Sequence, residues 1–342
     1  MNDTHAATST PSTVETLDAS GSVELAVLER SGMIESRHVG AAVVLAADGS
    51  VLRELGNAGA VIYPRSALKP LQAIAILRSG LQLDGERLAL ATASHQGTAR
   101  HIEVVHNILA SAGLDERALQ CPEDWPSDAD SAFTARSEGL GKRRSAMNCS
   151  GKHAAFLAAC VHNGWPLESY LDPAHPLQQL VRATVLDFTD GPIAHIGVDG
   201  CGAPLFAVTI RGLATAIGRV SGSPAADPTG DAAHLVTAVL ANPWAIDGPT
   251  GPNTVITEQL RLFAKEGAEG VMVLGAPDGT SVALKMLDGS PRAIFLVALG
   301  LLASVGAVGA DQAKRVSAEV TEPVLGHGRP VGQLRLADGV IS

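Results

Sequence analysis

The chain has 342 residues, 46% of them hydrophobic and 18% charged, with a formal net charge of −10. That length and composition build a sizeable globular core, as one large domain or two closely packed ones. Lys142-Arg143-Arg144 is the one basic cluster, so the charge pattern excludes a basic surface for nucleic acid or anionic membrane. Aromatics are 3%, which leaves Ala, Val, Leu and Ile to fill the core. Four cysteines in a chain this long do not make a secreted disulfide scaffold, and they point to a reduced, cytoplasmic setting.

Residues 1–20 are rich in Ser, Thr and Ala, without the basic and apolar regions of a targeting signal, and read as a disordered tail. Residues 23–30 and 40–46 read as strands. The turn Ala47-Asp48-Gly49-Ser50 returns the chain as a further strand over 51–55. A helix is predicted over 67–79, closed by Gly80.

At the start of that helix stands Pro64-Arg65-Ser66-Ala67-Leu68-Lys69-Pro70. Ser66 and Lys69 are three apart, so one helical turn puts both side chains on one face. A serine hydroxyl is a weak nucleophile and needs an adjacent base. A lysine serves as that base when desolvation or a second cation holds it neutral, and the residues around Lys69 are apolar. A serine before a helix also suits a simple N-cap, and the pattern alone favours the cap.

Residues 88–92 read as a short strand or a buried helical turn leading into Ser94-His95-Gln96-Gly97, and 99–112 as a helix. Helical spacing of apolar residues continues over 151–163 and 176–189. Before the first of these lies Asn148-Cys149-Ser150-Gly151-Lys152-His153. After the second, residues 194–202 read as a strand running into Asp199-Gly200-Cys201-Gly202. The thiolates of Cys149 and Cys201 suit a borderline-soft metal such as zinc. The third ligand from spacing is either Lys152, one turn after Cys149, or the more conventional His153. Two cysteines 52 residues apart, without a C-x-x-C pair, also suit plain buried side chains.

Further along, 206–218 reads as a helix, 222–230 as a loop and 232–242 as a helix. Residues 253–265 have helical spacing weakened by Val255 and Ile256. Strands are predicted over 271–274 and 281–287, a helix over 292–305 and a last strand over 331–336. The apolar stretch 293–310 is glycine-interrupted and suits a buried helix better than a membrane span. The order implies an α+β fold: an antiparallel sheet built from both chain ends, flanked by helices, with a helical region inserted. The expected division is one domain over 21–342, with an α/β part (about 21–95 and 266–342) and a mainly helical middle (about 96–265).

Five segments in order carry a resemblance: Arg65-Ser66-x-x-Lys69-Pro70, Ser94-His95, Asn148-Cys149-Ser150-Gly151-Lys152-His153, Asp199-Gly200-Cys201 and Lys265-x-Gly267-Ala268-Glu269-Gly270. Together they resemble the Rhizobium etli-type L-asparaginases of the asparaginase II family, from about residue 25 onwards. The resemblance implies a serine β-lactamase-like fold, hydrolysis of L-asparagine to L-aspartate and ammonia, and a homodimer. It implies two Ser-Lys pairs, Ser66 with Lys69 and Ser94 with Lys265. It implies Zn2+ on Cys149, Lys152 and Cys201, which favours Lys152 over His153, and it sets Arg65, His153 and Asp199 near the substrate. Two lysines beside two serines repel each other, so at least one is expected to be neutral near pH 7. Residues 248–254 depart from the family pattern: an expected arginine is missing while Thr254 remains. Glutamine hydrolysis, or another Ser-Lys amidase or peptidase reaction, is the alternative, and a non-catalytic zinc-dependent binding protein a more remote one.

Overall fold

The computed structural model describes residues 14–341. The expected tail over 1–13 lies outside the described residues. Residues 14–20, also expected in the tail, are tied down: Thr16 bridges Val61, and the Val61 amide donates to the Glu15 carbonyl.

The chain opens with strands β1 (Val23–Arg30), β2 (Met33–Leu45), β3 (Val51–Leu55) and β4 (Val61–Ile62). Helices follow: α1 (Lys69–Arg78), α2 (Gly85–Ala91), α3 (Ala99–Ser111), α4 (Ala129–Ser137), α5 (Ser150–Asn163) and α6 (Pro176–Thr189). Next come β5 (His195–Val198), β6 (Pro204–Thr209), α7 (Ile210–Ala226), α8 (Asp231–Ala241), α9 (Trp244–Asp247) and α10 (Pro252–Leu260). The chain closes with β7 (Phe263–Gly267), β8 (Val271–Gly275), β9 (Ser281–Met286), α11 (Ile294–Ser304), α12 (Ala310–Val320), the short β10 (Leu325–Gly326) and β11 (Arg329–Pro330), and β12 (Gly332–Leu336).

The main sheet has the order β12-β1-β2-β9-β8-β7, with β3 also paired to β2, and every pair is antiparallel. It is built from both ends of the chain, and the architecture is α+β as expected. The centre of β2 shows why. Residues 40–45 form an unbroken apolar run, and successive side chains point to opposite faces. Ala41, Val43 and Leu45 enter the core shared with α1, α5 and α7, while Ala42 and Val44 enter the core shared with α11. A strand covered on both faces reads as continuous apolar sequence rather than an alternation.

Three expectations need correction. Residues 206–209 are not helical but end β6, which pairs with both β4 and β5. The helix starts at Ile210, capped by the Thr209 hydroxyl, which accepts the Gly212 amide at 2.9 Å. It then runs through 222–226, where a loop is expected, and contains Pro224. A proline inside a helix leaves the carbonyl four residues back without its donor. Here the Ser223 hydroxyl donates to the Val220 carbonyl at 2.6 Å and fills that vacancy. The helix expected over 253–265 ends at Leu260, because Arg261 adopts φ 58°, and the chain turns into β7. Lys265 therefore lies on an edge strand, not on a helix. Residues 88–92 belong mostly to helix α2, and α12 has no counterpart in the sequence reading. Among the described residues no helix is long and apolar enough to cross a membrane.

Candidate active site

Lys69, Lys152 and Lys265 are each 1% exposed. Lysines are almost never buried this fully without partners, so their partners define the region. Ser66 lies in a 3-10 turn (Arg65–Leu68) that runs directly into α1. The turn has no side-chain cap, so Ser66 is not an N-cap, and its half-buried hydroxyl makes no hydrogen bond among the described residues. Lys69 opens α1 and donates from Nζ to the Ala93 carbonyl at 2.5 Å and to Ser94 Oγ at 3.1 Å. Lys265 donates to the same Ser94 Oγ at 2.9 Å and to the Glu266 carbonyl at 2.8 Å. The contact of Ser94 with Lys265 agrees with the expected pairing. Lys69, expected beside Ser66, is hydrogen-bonded to Ser94 instead, so both lysines meet on one hydroxyl.

Local structure explains the convergence. On β7, residues 263, 265 and 267 share the face turned to the helical core, where Phe263 packs. A Cβ on Gly267 would stand 2.3 Å from the Pro64 carbonyl oxygen, so only glycine lets β7 press against the Ser66 turn. Ser94 follows α2 and is held by its amide on the Ile246 carbonyl at 3.0 Å. Arg65, beside Ser66, has φ 52°, a left-handed conformation that costs a bulky residue about 1 kcal/mol or more. Burial first, and then the Lys69 charge, push Lys265 down to about 8, against an opposing pull from Glu266 and Asp247.

The second cluster adjoins the first. Cys149 is the residue before α5, and Lys152 is one turn in. A Cβ on Gly151 would lie 2.5 Å from the Leu90 carbonyl oxygen, so this glycine brings the start of α5 against α2 and the Ser94 segment. Cys201 sits in the turn between β5 and β6, closed by the Gly202 amide on the Asp199 carbonyl at 2.8 Å. Lys152 Nζ donates to Cys201 Sγ at 3.1 Å. Asp199 Oδ2 lies 3.7 Å from the same sulfur, and Asp199 Oδ1 accepts from Arg65 Nε at 2.8 Å. Arg65 thus ties the Ser66 turn to the cysteine cluster.

The charges are unequal. A hydrogen bond from Cys149 and the Lys152 charge, acting against burial, hold Cys201 down at about 5, so it is a thiolate. The same bond, with burial, pushes Cys149 up to about 12, so it keeps its proton. Burial would lower Lys152, but Cys201, Cys149 and Asp199 outweigh it and keep the amine protonated. Burial raises Asp199, and the Lys152 and Arg65 charges overcome that and hold it below the usual carboxylate range. His153 is fully buried, with Nδ1 2.7 Å from the Tyr170 hydroxyl. Burial, reinforced by Lys152, pushes it down to about 3.

The model of the L-asparaginase II family matches residues 26–336 of this chain. The chain belongs to the L-asparaginase II family. No curated protein matches it. Among solved structures, a protein named Mglu in its glutamate form is similar at 16% identity and a TM-score of 0.35, covering 78% of this chain and 61% of that one. A further crystal structure of Mglu matches at 16% identity and a TM-score of 0.35, covering 80% of this chain and 68% of that one. The chain therefore spans about three fifths of the length of the first. A likeness this distant carries no inference about the reaction.

The asparaginase II chain brings Arg65, Ser66, Lys69, Ser94, Lys265, Asp199, Cys149, Lys152, Cys201 and His153 into one connected region, although they come from five stretches of sequence. Thr254 is buried on α10, and its hydroxyl donates to the Pro243 carbonyl at 3.0 Å, a structural use. Among the described residues no group of three or more His, Cys, Asp and Glu side chains is arranged to hold a metal. The donors that do meet are two thiols and one amine, a set that fits zinc once Cys149 and Lys152 lose their protons.

Sequence reasoning missed several residues. Asn253 takes the Glu266 amide of edge strand β7 on its Oδ1 at 3.0 Å and donates from Nδ2 to Asp247 Oδ2 at 3.0 Å. Burial and the Asp247 carboxylate raise Glu266 above the usual carboxylate range beside Lys265. Tyr170 was also missed. A lone tyrosine between helices carries no spacing signal, whereas Glu266 was open to notice as the neighbour of Lys265.

Proposed function

We propose that this chain hydrolyses the side-chain amide of L-asparagine to L-aspartate and ammonia by Ser-Lys nucleophilic catalysis. The observation that carries the proposal is the contact of two buried lysines, Lys69 and Lys265, with Ser94 beside the unpartnered hydroxyl of Ser66. Membership in a family of amide hydrolases supports the substrate. In this reading Ser66 Oγ attacks the amide carbon as Lys69 takes its proton and passes one of its own through Ser94 to neutral Lys265. Collapse of the tetrahedral adduct breaks the C–N bond, the proton leaves with ammonia, and an aspartyl ester remains on Ser66 until water cleaves it. Lys265 reaches Lys69 through Ser94, a path by which the proton can be shared. The Ala67 amide is bonded to the Pro64 carbonyl, so it is not a free oxyanion donor. Arg65 binds Asp199 through Nε and leaves its terminal nitrogens without hydrogen bonds among the described residues, a fork suited to the substrate carboxylate.

Cys149, Lys152 and Cys201 would hold the zinc. When bound, it supplies a fixed positive charge that orients the substrate. Free cysteines at all four positions suit a reducing, cytoplasmic compartment, and a homodimer is proposed on the family resemblance.

A second reading makes Ser94 the nucleophile, favoured by the two lysine contacts on its hydroxyl. The test is ammonia release from asparagine and from glutamine by the purified chain, with Ser66→Ala and Ser94→Ala alongside. Peptide mapping of acid-quenched asparagine turnover then locates the ester. An aspartyl adduct on the Ser66 peptide supports the first reading, and one on the Ser94 peptide reverses the roles. Absence of ammonia release from asparagine under all conditions refutes the assignment, and preference for glutamine moves it to that substrate.

A further inference from the structure

We infer that Tyr170 is a positioning residue that locks His153 in the Nε2–H tautomer, making His153 a hydrogen-bond donor to the substrate rather than a metal ligand. The substrate half of this rests on the asparaginase reading above. The tautomer half does not.

Tyr170 has no exposed surface and stands in the segment before α6. Its phenol oxygen accepts the Gln120 backbone amide at 3.1 Å. It is also 2.7 Å from His153 Nδ1. A phenol has one proton to give, and two arrangements are open. If Nδ1 carried the proton and donated it to Tyr170, the phenol oxygen would accept twice, from Gln120 and from His153. Its own proton would then have no acceptor among the described residues. An unpaired buried donor of that kind costs about 1–3 kcal/mol. If the phenol donates to Nδ1, then Gln120, the phenol and Nδ1 are all paired and Nε2–H is the one group left open, whereas the first arrangement leaves both the phenol proton and the Nε2 lone pair open. The second arrangement therefore holds, and the ring proton resides on Nε2.

His153 Nε2 is buried and has no hydrogen-bond partner among the described residues. Buried polar atoms are nearly always paired, so one left open within a candidate active site is reserved for a ligand. The titratable groups that face this ring are Lys152, Cys149, Lys69 and Asp199, members of the two clusters already described. A nitrogen that carries a proton has no lone pair for a metal, and the lone pair of Nδ1 is engaged by Tyr170. The ligand choice that sequence spacing leaves open between Lys152 and His153 thus falls to Lys152. What remains for Nε2–H is an acceptor on the substrate, a carboxylate or amide oxygen.

Two independent measurements test this on the full-length chain. Long-range 1H–15N correlation of the histidine rings, with His153 assigned by the signals missing in His153→Gln, reports the tautomer directly. Protonated Nε2 with an acceptor-type Nδ1 is expected in the wild type, and Tyr170→Phe should convert this to a mixture. A protonated Nδ1 in the wild type overturns the inference, whatever the chain hydrolyses. Zinc per chain should be the same in wild type and His153→Gln, and loss of zinc from that variant would make His153 a ligand and overturn it too. In steady-state kinetics, Tyr170→Phe should raise KM for asparagine roughly tenfold, the loss of about one hydrogen bond, with kcat changed much less. An equal fall in kcat at constant KM would deny the substrate role while leaving the spectroscopic result to judge the tautomer. If asparagine proves not to be a substrate, the spectrum and the zinc content still decide the claim.

Discussion

In the proposed mechanism the chemistry turns on Ser94, because two side chains that should carry like charges share its oxygen. Repulsion between them is relieved when one is neutral, and Lys265 is the one driven towards neutrality, at about 8. Activity that needs this free base should rise with pH through about 8 and then level off. Lys265→Met should abolish the step and reduce kcat/KM by about 10²–10⁴-fold, the usual range for a proton-transfer group. A wild-type profile that peaks in acid would rule out the neutral amine. The stability effect has its own sign. Below about pH 8 both folded and unfolded chains hold the proton. Between about 8 and the ordinary lysine value of 10.5 only the unfolded chain holds it. The unfolded state then binds more protons, so stability should rise with pH across that window. Chemical denaturation of wild type and Lys265→Met at several pH values checks this, and equal slopes in the two would contradict it.

At the scale of elements, the site depends on how closely an edge strand approaches a turn. Strand β7 is the last in the sheet, its Glu266 amide capped by Asn253 rather than by another strand. Gly267 lets it lie against Pro64 and so sets the separation between Lys265 and the Ser66 turn. Gly267→Ala would drive a methyl group against the Pro64 carbonyl, at 2.3 Å before any movement. Overpacking of this kind costs about 1–3 kcal/mol. The expected outcome is a lower thermal midpoint together with a tenfold or greater fall in kcat/KM, read by calorimetry and ammonia release. A variant with wild-type melting and turnover would show that the contact does not position the site. The segmentation of the chain was legible where local signals were strong. Helix α6 and strands β1 and β3 were read over the residues they occupy, and β9 to within one residue. It failed at 206–209 and 261–267, where a residue's state is set by a distant partner strand: β6 by β4 and β5, and β7 by β8.

At the scale of the whole molecule, the cysteine cluster joins the start of α5 to the β5–β6 turn, segments about fifty residues apart. A metal held there by the native state alone would stabilise the fold by mass action. About one zinc per chain is expected by elemental analysis, lost in Cys201→Ser, with a chelator lowering the melting temperature of the wild type and not of that variant. A zinc-free wild type that neither binds added zinc nor responds to it would remove the metal from the account. The sequence by itself determined the chemistry on offer. Serines, lysines and cysteines in five ordered segments, apolar runs for a two-faced sheet, and turn residues between them are all local properties of the chain. Which lysine meets which serine was not among them. Lys69 reaches Ser94 instead of resting on Ser66, Arg65 bridges to Asp199, and Tyr170 sets the face that His153 presents. These contacts, with that of Lys265 on Ser94, span 17 to 171 positions of sequence and exist only once the sheet closes from both chain ends and draws α1, α2, α5 and β7 together. Spacing predicts neighbours within a helix or strand, while a partner across the core is decided by packing, which no local pattern encodes.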